Sequence, residues 1–199
     1  MVGDGMKALH KDFWMEIRKS KARFISIFLI VALGVAFFSG IQASSPDMRY
    51  SGDAYYEAAK LMDLKIQGTL GLTQRDVKAV SDIDGVELAE GGYSTDVMSG
   101  EDDARKVLHL EAISSNFNLL TADEGRIPKK SGEIFLDKPF AKNRGYKIGD
   151  TISVSEDGDS ELLKKTTYTV VGIGSSPLYI SFNRGNTTIG TGEVNGFGY

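Results

Sequence analysis

The chain has 199 residues, 41% of them hydrophobic, a net charge of −4 and no cysteine. The missing cysteine excludes disulfides, thiolate metal sites and a cysteine nucleophile, and leaves the compartment open. The charge is uneven: residues 1–23 carry six Lys or Arg against three acids, and the remainder carries 17 against 24, so a basic foot precedes an acidic bulk.

In the first segment Met6, Leu9, Phe13, Trp14 and Ile17 fall on one helical face, with Lys7, Lys11, Arg18 and Lys19 mostly off it. Such a helix fits the headgroup layer, apolar face down and cations toward anionic lipid, with Trp14 at the interface. The plainer alternative is a simple extension of the apolar stretch that begins at Phe24. Nucleic-acid binding is the other reading of the basic cluster, but no groove-reading pattern surrounds it.

Phe24 to Pro46 reads FISIFLIVALGVAFFSGIQASSP and contains no charged residue. About 20 helical residues cross the hydrocarbon core of a bilayer, and residues 24–43 fit that length. The cationic flank predicts residues 1–23 inside the cell and residues 44–199 outside. A signal peptide cleaved near Gln42-Ala43-Ser44 fits less well, because the apolar run exceeds the usual h-region. Ala32, Ala36 and Gly40 recur every four residues. That spacing suits either a face docked on other spans or the ordinary small-residue content of a span.

Pro46 is expected to stop the helix, and Asp53–Leu61 to form a separate short one. Tyr55 and Tyr56 suit the outer membrane surface or ordinary packing. Residues 63–98 read as strand–helix–strand. The first strand is 63–70; Thr73 and Asp76 form an N-terminal signal; Leu72, Val77, Val80 and Ile83 keep helical spacing; Gly85 ends the helix; strand residues come after it at 86–89 and 93–98.

Gly100–Asp103 reads as a turn and 104–114 as a strand. Asn116–Gly125 reads as loop or a short helical turn, 133–136 as a strand, and Pro139–Asn143 as a short helix. Thr151–Ser155 and 166–173 read as a hairpin about Asp157-Gly158. From Gly185 onward, Thr187–Ile189 and Phe197 look strand-like without an obvious partner, so the sequence is expected to be a fragment. The pattern is α+β with much antiparallel pairing.

No chemical motif stands out. His10 lies in the basic segment. His109 lies in a strand, where a lone histidine is usually structural. There is no G-x-S-x-G elbow and no G-x-x-x-x-G-K-[ST] phosphate loop. Gly172-Ile173-Gly174 lacks the third glycine of a dinucleotide turn. The acidic run Glu156–Glu161 does not keep calcium-loop spacing and reads as a solvated hairpin tip. Catalytic, cofactor-binding and metal residues are therefore all assigned as none, and no cofactor is expected.

The order of parts is informative. KDFWMEIRKSKARF runs into the apolar stretch, and after it come GLTQRDVKAVSDIDGV, LDKPFAKNRGYKIGDTISV and TYTVVGIGSSP. This resembles the N-terminal part of an ABC-transporter permease of the FtsX/MacB-like family, including its MacB-like outer domain. The resemblance implies an α+β extracytoplasmic domain preceded by one transmembrane helix and a cytoplasmic amphipathic segment. It also implies a plasma-membrane permease half that pairs with a second copy or half and docks on a cytoplasmic ABC ATPase, with ATP hydrolysis moving the outer domain. No catalytic residue follows from it, and no nucleic-acid partner. The rival is a single-span anchored protein whose outer domain binds a ligand or partner without an ATPase.

Overall fold

The computed structural model describes residues 3–100, 105–156, 163–181 and 183–199, with the backbone alone for 3–9. Two compact units emerge, residues 1–54 and 55–199. The chain is α+β, with long helices first and a sheet-rich domain after them.

The first unit holds α1, Gly3–Lys19, and most of α2, Lys21–Ala58. At about 1.5 Å per residue, the 38 residues of α2 span roughly 57 Å. Pro46 sits inside this helix and does not end it. Proline removes one amide donor, here the one that would bond the Gln42 carbonyl, and every later amide still has its acceptor. The polar run beyond it therefore continues the same helix, and no separate helix starts at Asp53.

The second unit is organised by seven strands: β1, Ser94–Ser99; β2, Lys106–Glu111; β3, Thr121–Gly125; β4, Glu133–Asp137; β5, Thr151–Ser155; β6, Thr167–Ser175; and β7, Gly196–Gly198. Their order is β3-β6-β4-β7-β2-β1-β5, and β5 also pairs with β6. That last pairing closes a six-stranded barrel. β3 lies outside the ring and shares with β5 the edge of β6 that β4 leaves free.

Val97, Leu108, Ile134, Leu136, Ile152, Val154 and Val170 fill the barrel. The half-buried β5 alternates, Ile152 and Val154 inward, as its sequence TISVS demands. The middle of β4, Ile134-Phe135-Leu136, is apolar without alternation because both of its faces are covered. A short helix, α4 (Lys138–Arg144), comes directly after β4 and inserts Phe140 and Ala141 into the core. Gly145, at φ 75°, terminates it in the left-handed region.

Several expectations for this unit are corrected. The helix at 73–85 is α3, Gln74–Ser81, opened as expected by Asp76, whose carboxylate accepts the Thr73 amide and hydroxyl at 2.7 Å each. Residues 63–70 and 86–89 form no strand. Their apolar side chains face outward: Leu64 is 84% exposed and Leu70 fully so. Extended residues become a strand only when a neighbour supplies the ladder, and none lies alongside them among the described residues. The stretch 116–125 contains β3.

Phe197 has partners on both sides. β7 pairs parallel with β2 and antiparallel with β4, and so completes the ring. Thr187–Ile189 form no strand; the nearby pairing is an isolated bridge between Asn186 and Glu193. The Asp157-Gly158 turn, most of the acidic run at 156–161 and Glu101–Asp103 lie outside the described residues.

Candidate functional site

Two features carry chemistry. The first is the apolar helix. Its strongest 18-residue window has a mean hydropathy of 2.6, and none of that window is buried. It is long and apolar enough to cross a membrane. A helix apolar on every side is normally buried in protein or in lipid, and none of the described residues buries this one. On α1, Phe13, Trp14 and Met15 are likewise exposed, beside Lys11, Arg18 and Lys19.

The second is the outside of the barrel, where residues 176–181 and 183–195 cross β1, β2 and β7 as a strap. Strand alternation sends Leu108 and Leu110 inward and Val107, His109 and Glu111 outward. His109 faces Asp96 across the β1–β2 ladder, with Nδ1 2.5 Å from Oδ1. Glu111 accepts Lys65 Nζ at 2.9 Å and the Tyr179 hydroxyl at 3.0 Å. Burial and the Glu111 charge both push the Tyr179 phenol well above its ordinary range. The Tyr179 ring stacks on Phe197, and His109 meets both rings edge-on.

Arg184 lies over the Phe197 ring, 5.2 Å from its centroid, and its Nη2 is 3.0 Å from Asp137 Oδ2. Both side chains of this pair are largely buried, at 16% and 7% exposed. Oδ2 has no donor in hydrogen-bonding line, so the Arg184 contact is an ion pair of charges alone. Oδ1 accepts the Phe197 amide at 2.9 Å. Burial raises the Asp137 pKa above the ordinary carboxylate range, although the Phe197 amide and Arg184 oppose the rise. Asp137 thus joins β4, the head of α4, β7 and the strap.

Gly172 and Gly174, which fail the dinucleotide pattern, have a packing role. A Cβ on either would meet the Phe135 ring, at 2.6 Å from Cδ2 for Gly172 and 2.8 Å from Cζ for Gly174. It would also overlap the Arg126 or Thr121 carbonyl. The two glycines let Phe135 and the β3 segment lie flat on β6. His109 stands in a strand as expected, and His10 is exposed on α1. Among the described residues no three His, Asp or Glu side chains are grouped to hold a metal.

The seam outside the barrel was not legible in the sequence, since its members come from residues 65 to 197. Its chemistry is that of a clamp: ion pairs, stacked rings and hydrogen bonds that fix the strap and β7.

The model of the MacB-like periplasmic core domain matches residues 24–193. That range takes in the apolar part of α2, strands β1 to β6 and most of the strap, and stops short of β7. No curated protein matches the chain. Among solved structures, the extracellular domain of the noncanonic ABC-type transporter YknZ from Gram-positive bacteria is similar over 54% of this chain, at 16% identity and a TM-score of 0.39. The match covers 59% of that domain, so the chain spans less than two thirds of it. With the family model matching from the apolar helix into the strap, the chain belongs to the family of the MacB-like periplasmic core domain.

Proposed function

We propose that the chain is part of the membrane subunit of an ABC transporter, coupling a partner ATPase to movement of its outer domain for transport or export. The observation that carries this reading is the family match, which runs continuously from the apolar helix into the barrel. In this reading residues 1–23 are a cytoplasmic basic amphipathic segment, 24–43 cross the plasma membrane, and 44–199 lie outside. The charge distribution supports that orientation, because Lys and Arg flanks are retained inside.

In this reading hydrolysis belongs to a separate cytoplasmic ATPase subunit that carries the phosphate loop, and this chain is its non-enzymatic membrane partner. A second permease copy or half and the lipid bilayer complete the partners. The exposed face of α1 suits the inner headgroup layer, where Trp14 and the lysines have complementary surroundings.

Two measurements test the proposal. The chain has no cysteine, so single labels are unambiguous. In intact cells a membrane-impermeant maleimide is expected to modify Lys147→Cys and to spare Lys11→Cys; the reverse pattern overturns the orientation. Mild extraction of the chain from its native membrane is expected to bring down an ATP-hydrolysing subunit. Recovery with no such subunit, at unchanged expression, counts for the single-span rival.

A further inference from the structure

Among the described residues only two non-glycine residues have positive φ, Lys60 at 50° and Asn118 at 49°. They are 58 positions apart, and they are hydrogen-bonded to each other: the Asn118 amide donates to the Lys60 carbonyl at 2.9 Å. Lys60 is the left-handed residue that ends α2. Its amide bonds the Glu57 carbonyl, and the Leu61 amide bonds that of Tyr56, both at 3.0 Å. Glycine is the usual residue at this position; lysine holds it at a steric cost.

Asn118 stands in the 112–120 connection between β2 and β3. The next amide, Leu119, donates to the Ala59 carbonyl at 2.8 Å, and Asn118 Oδ1 accepts the Met62 amide at 3.1 Å. Three bonds therefore fasten the Ala59 and Lys60 carbonyls at the end of α2, and the Met62 amide two residues past the cap, to one loop of the barrel. Ala59, at the centre of these bonds, is 7% exposed. Two strained residues persist only where their surroundings over-determine them, and such positions concentrate at functional joints.

We propose that Asn118 is the positioning residue of a joint that makes the end of α2 and the β2–β3 loop move as one body. Its amide and side-chain oxygen grip the helix end from both sides of the cap. Its left-handed backbone, which asparagine tolerates better than most residues, aims both groups at once. The proposal rests on the permease reading only for its use, as the place where displacement of the helix reaches the barrel. The joint is measured without any ATPase, so its failure and the failure of that reading are separate results.

The full chain in nanodiscs is labelled at Glu57→Cys and Lys147→Cys, both exposed positions, for distance measurement by electron–electron resonance. Amide exchange is recorded in parallel. Asn118→Gly keeps the backbone conformation and loses the side-chain acceptor. It is expected to broaden the distance distribution and to speed exchange at residues 59–62 and 118–119 by on the order of tenfold, with β2, β4 and β6 unchanged. Asn118→Asp keeps both the acceptor and the backbone tolerance and is expected to restore the narrow distribution. An unchanged distribution in Asn118→Gly overturns the proposal. So does an equal loss of protection in the strands, which would mean a general role in stability, or an Asn118→Asp chain that behaves like Asn118→Gly.

Discussion

The claim that three residues near the end of the sequence close the barrel is tested at Gly196. β7 enters between β2 and β4 with Phe197 outward and both its glycines inward. A Cβ at Gly196 would stand 2.5 Å from Phe140 Cβ and closer still to its ring. Carbon atoms rest at about 3.5–4.0 Å, so Phe140 would have to retreat by about 1 Å or more. It is 2% exposed and packed in the core. Overpacking of this kind costs about 1–3 kcal/mol, and Gly196→Ala belongs at the upper end because β7 is backbone held by ladders on both sides. Gly92→Ala is the control, since nothing lies within 4 Å of its Cβ position; it should stay within about 0.5 kcal/mol of the parent. The only tryptophan, Trp14, is in α1, so near-ultraviolet tyrosine dichroism reports the barrel during urea unfolding of the full chain in detergent. In the double variant Gly196→Ala/Phe140→Leu the two changes should be less than additive, by about 1 kcal/mol or more. A Gly196→Ala chain as stable as the Gly92→Ala control, or strict additivity with Phe140→Leu, would refute the assignment of β7 as the closing strand.

Other expected outcomes concern charge and close packing. Arg184→Gln leaves Asp137 buried without its counter-charge and should cost roughly 3 kcal/mol near neutral pH. Because the folded pKa of Asp137 is raised, its contribution to stability is present below the unfolded carboxylate range and declines as pH rises through the raised value. Melting temperature plotted against pH should fall on that alkaline side less steeply in Asp137→Asn than in the parent. Glu133 behaves in the opposite sense: the Arg126 guanidinium, then the Lys129 amide, hold its pKa down to about 2. Its contribution is present above the ordinary carboxylate range and is lost as pH falls toward that value, so Glu133→Gln should flatten the acid limb of the same plot. Gly174→Ala must displace both the Phe135 ring and the Thr121 carbonyl; it should lose more than about 3 kcal/mol in urea titration, and a near-neutral result would show that β3 is free to move off β6.

Legibility in the sequence tracks the range of the forces involved. α4 was legible because its start and stop are local, a proline in the first turn and a glycine past the last. The Thr73–Asp76 pair announced α3 for the same reason, and β5 displayed its half-burial in a strict alternation. Pro46 misled because the rule against proline weighs one lost bond and a local clash, while a long helix has many bonds on either side. The outer seam was hidden altogether. Asp137 and Arg184 are 47 positions apart, and His109 acquires its surroundings only when Tyr179 and Phe197 arrive on the same face. Nothing in the neighbourhood of Asn118 signals that it grips a helix end 58 residues earlier in the chain.

Two of the strand outcomes, the absence of one at 63–70 and the pairing found for the strand-like Phe197, have one cause. Residues 63–70 have the alternation of a strand and are not one; residues 196–198 lack any alternation and are one. Intrinsic β preference amounts to about 1 kcal/mol across the scale and changes sign with position, so it cannot decide whether a ladder forms. Decision rests with the neighbours. Without β7, β2 and β4 would border a gap with unpaired amides and carbonyls on both sides, and the inward neighbours Phe140, Leu108 and Ile134 leave no room for side chains at 196 and 198. Glycine, disfavoured in strands by its entropy, is therefore the residue that fits, and the cost of ordering it is offset by closing the ring. Leu64 and Leu70 have the better strand residues and stand beside no such gap among the described residues, so their backbone stays extended and unpaired.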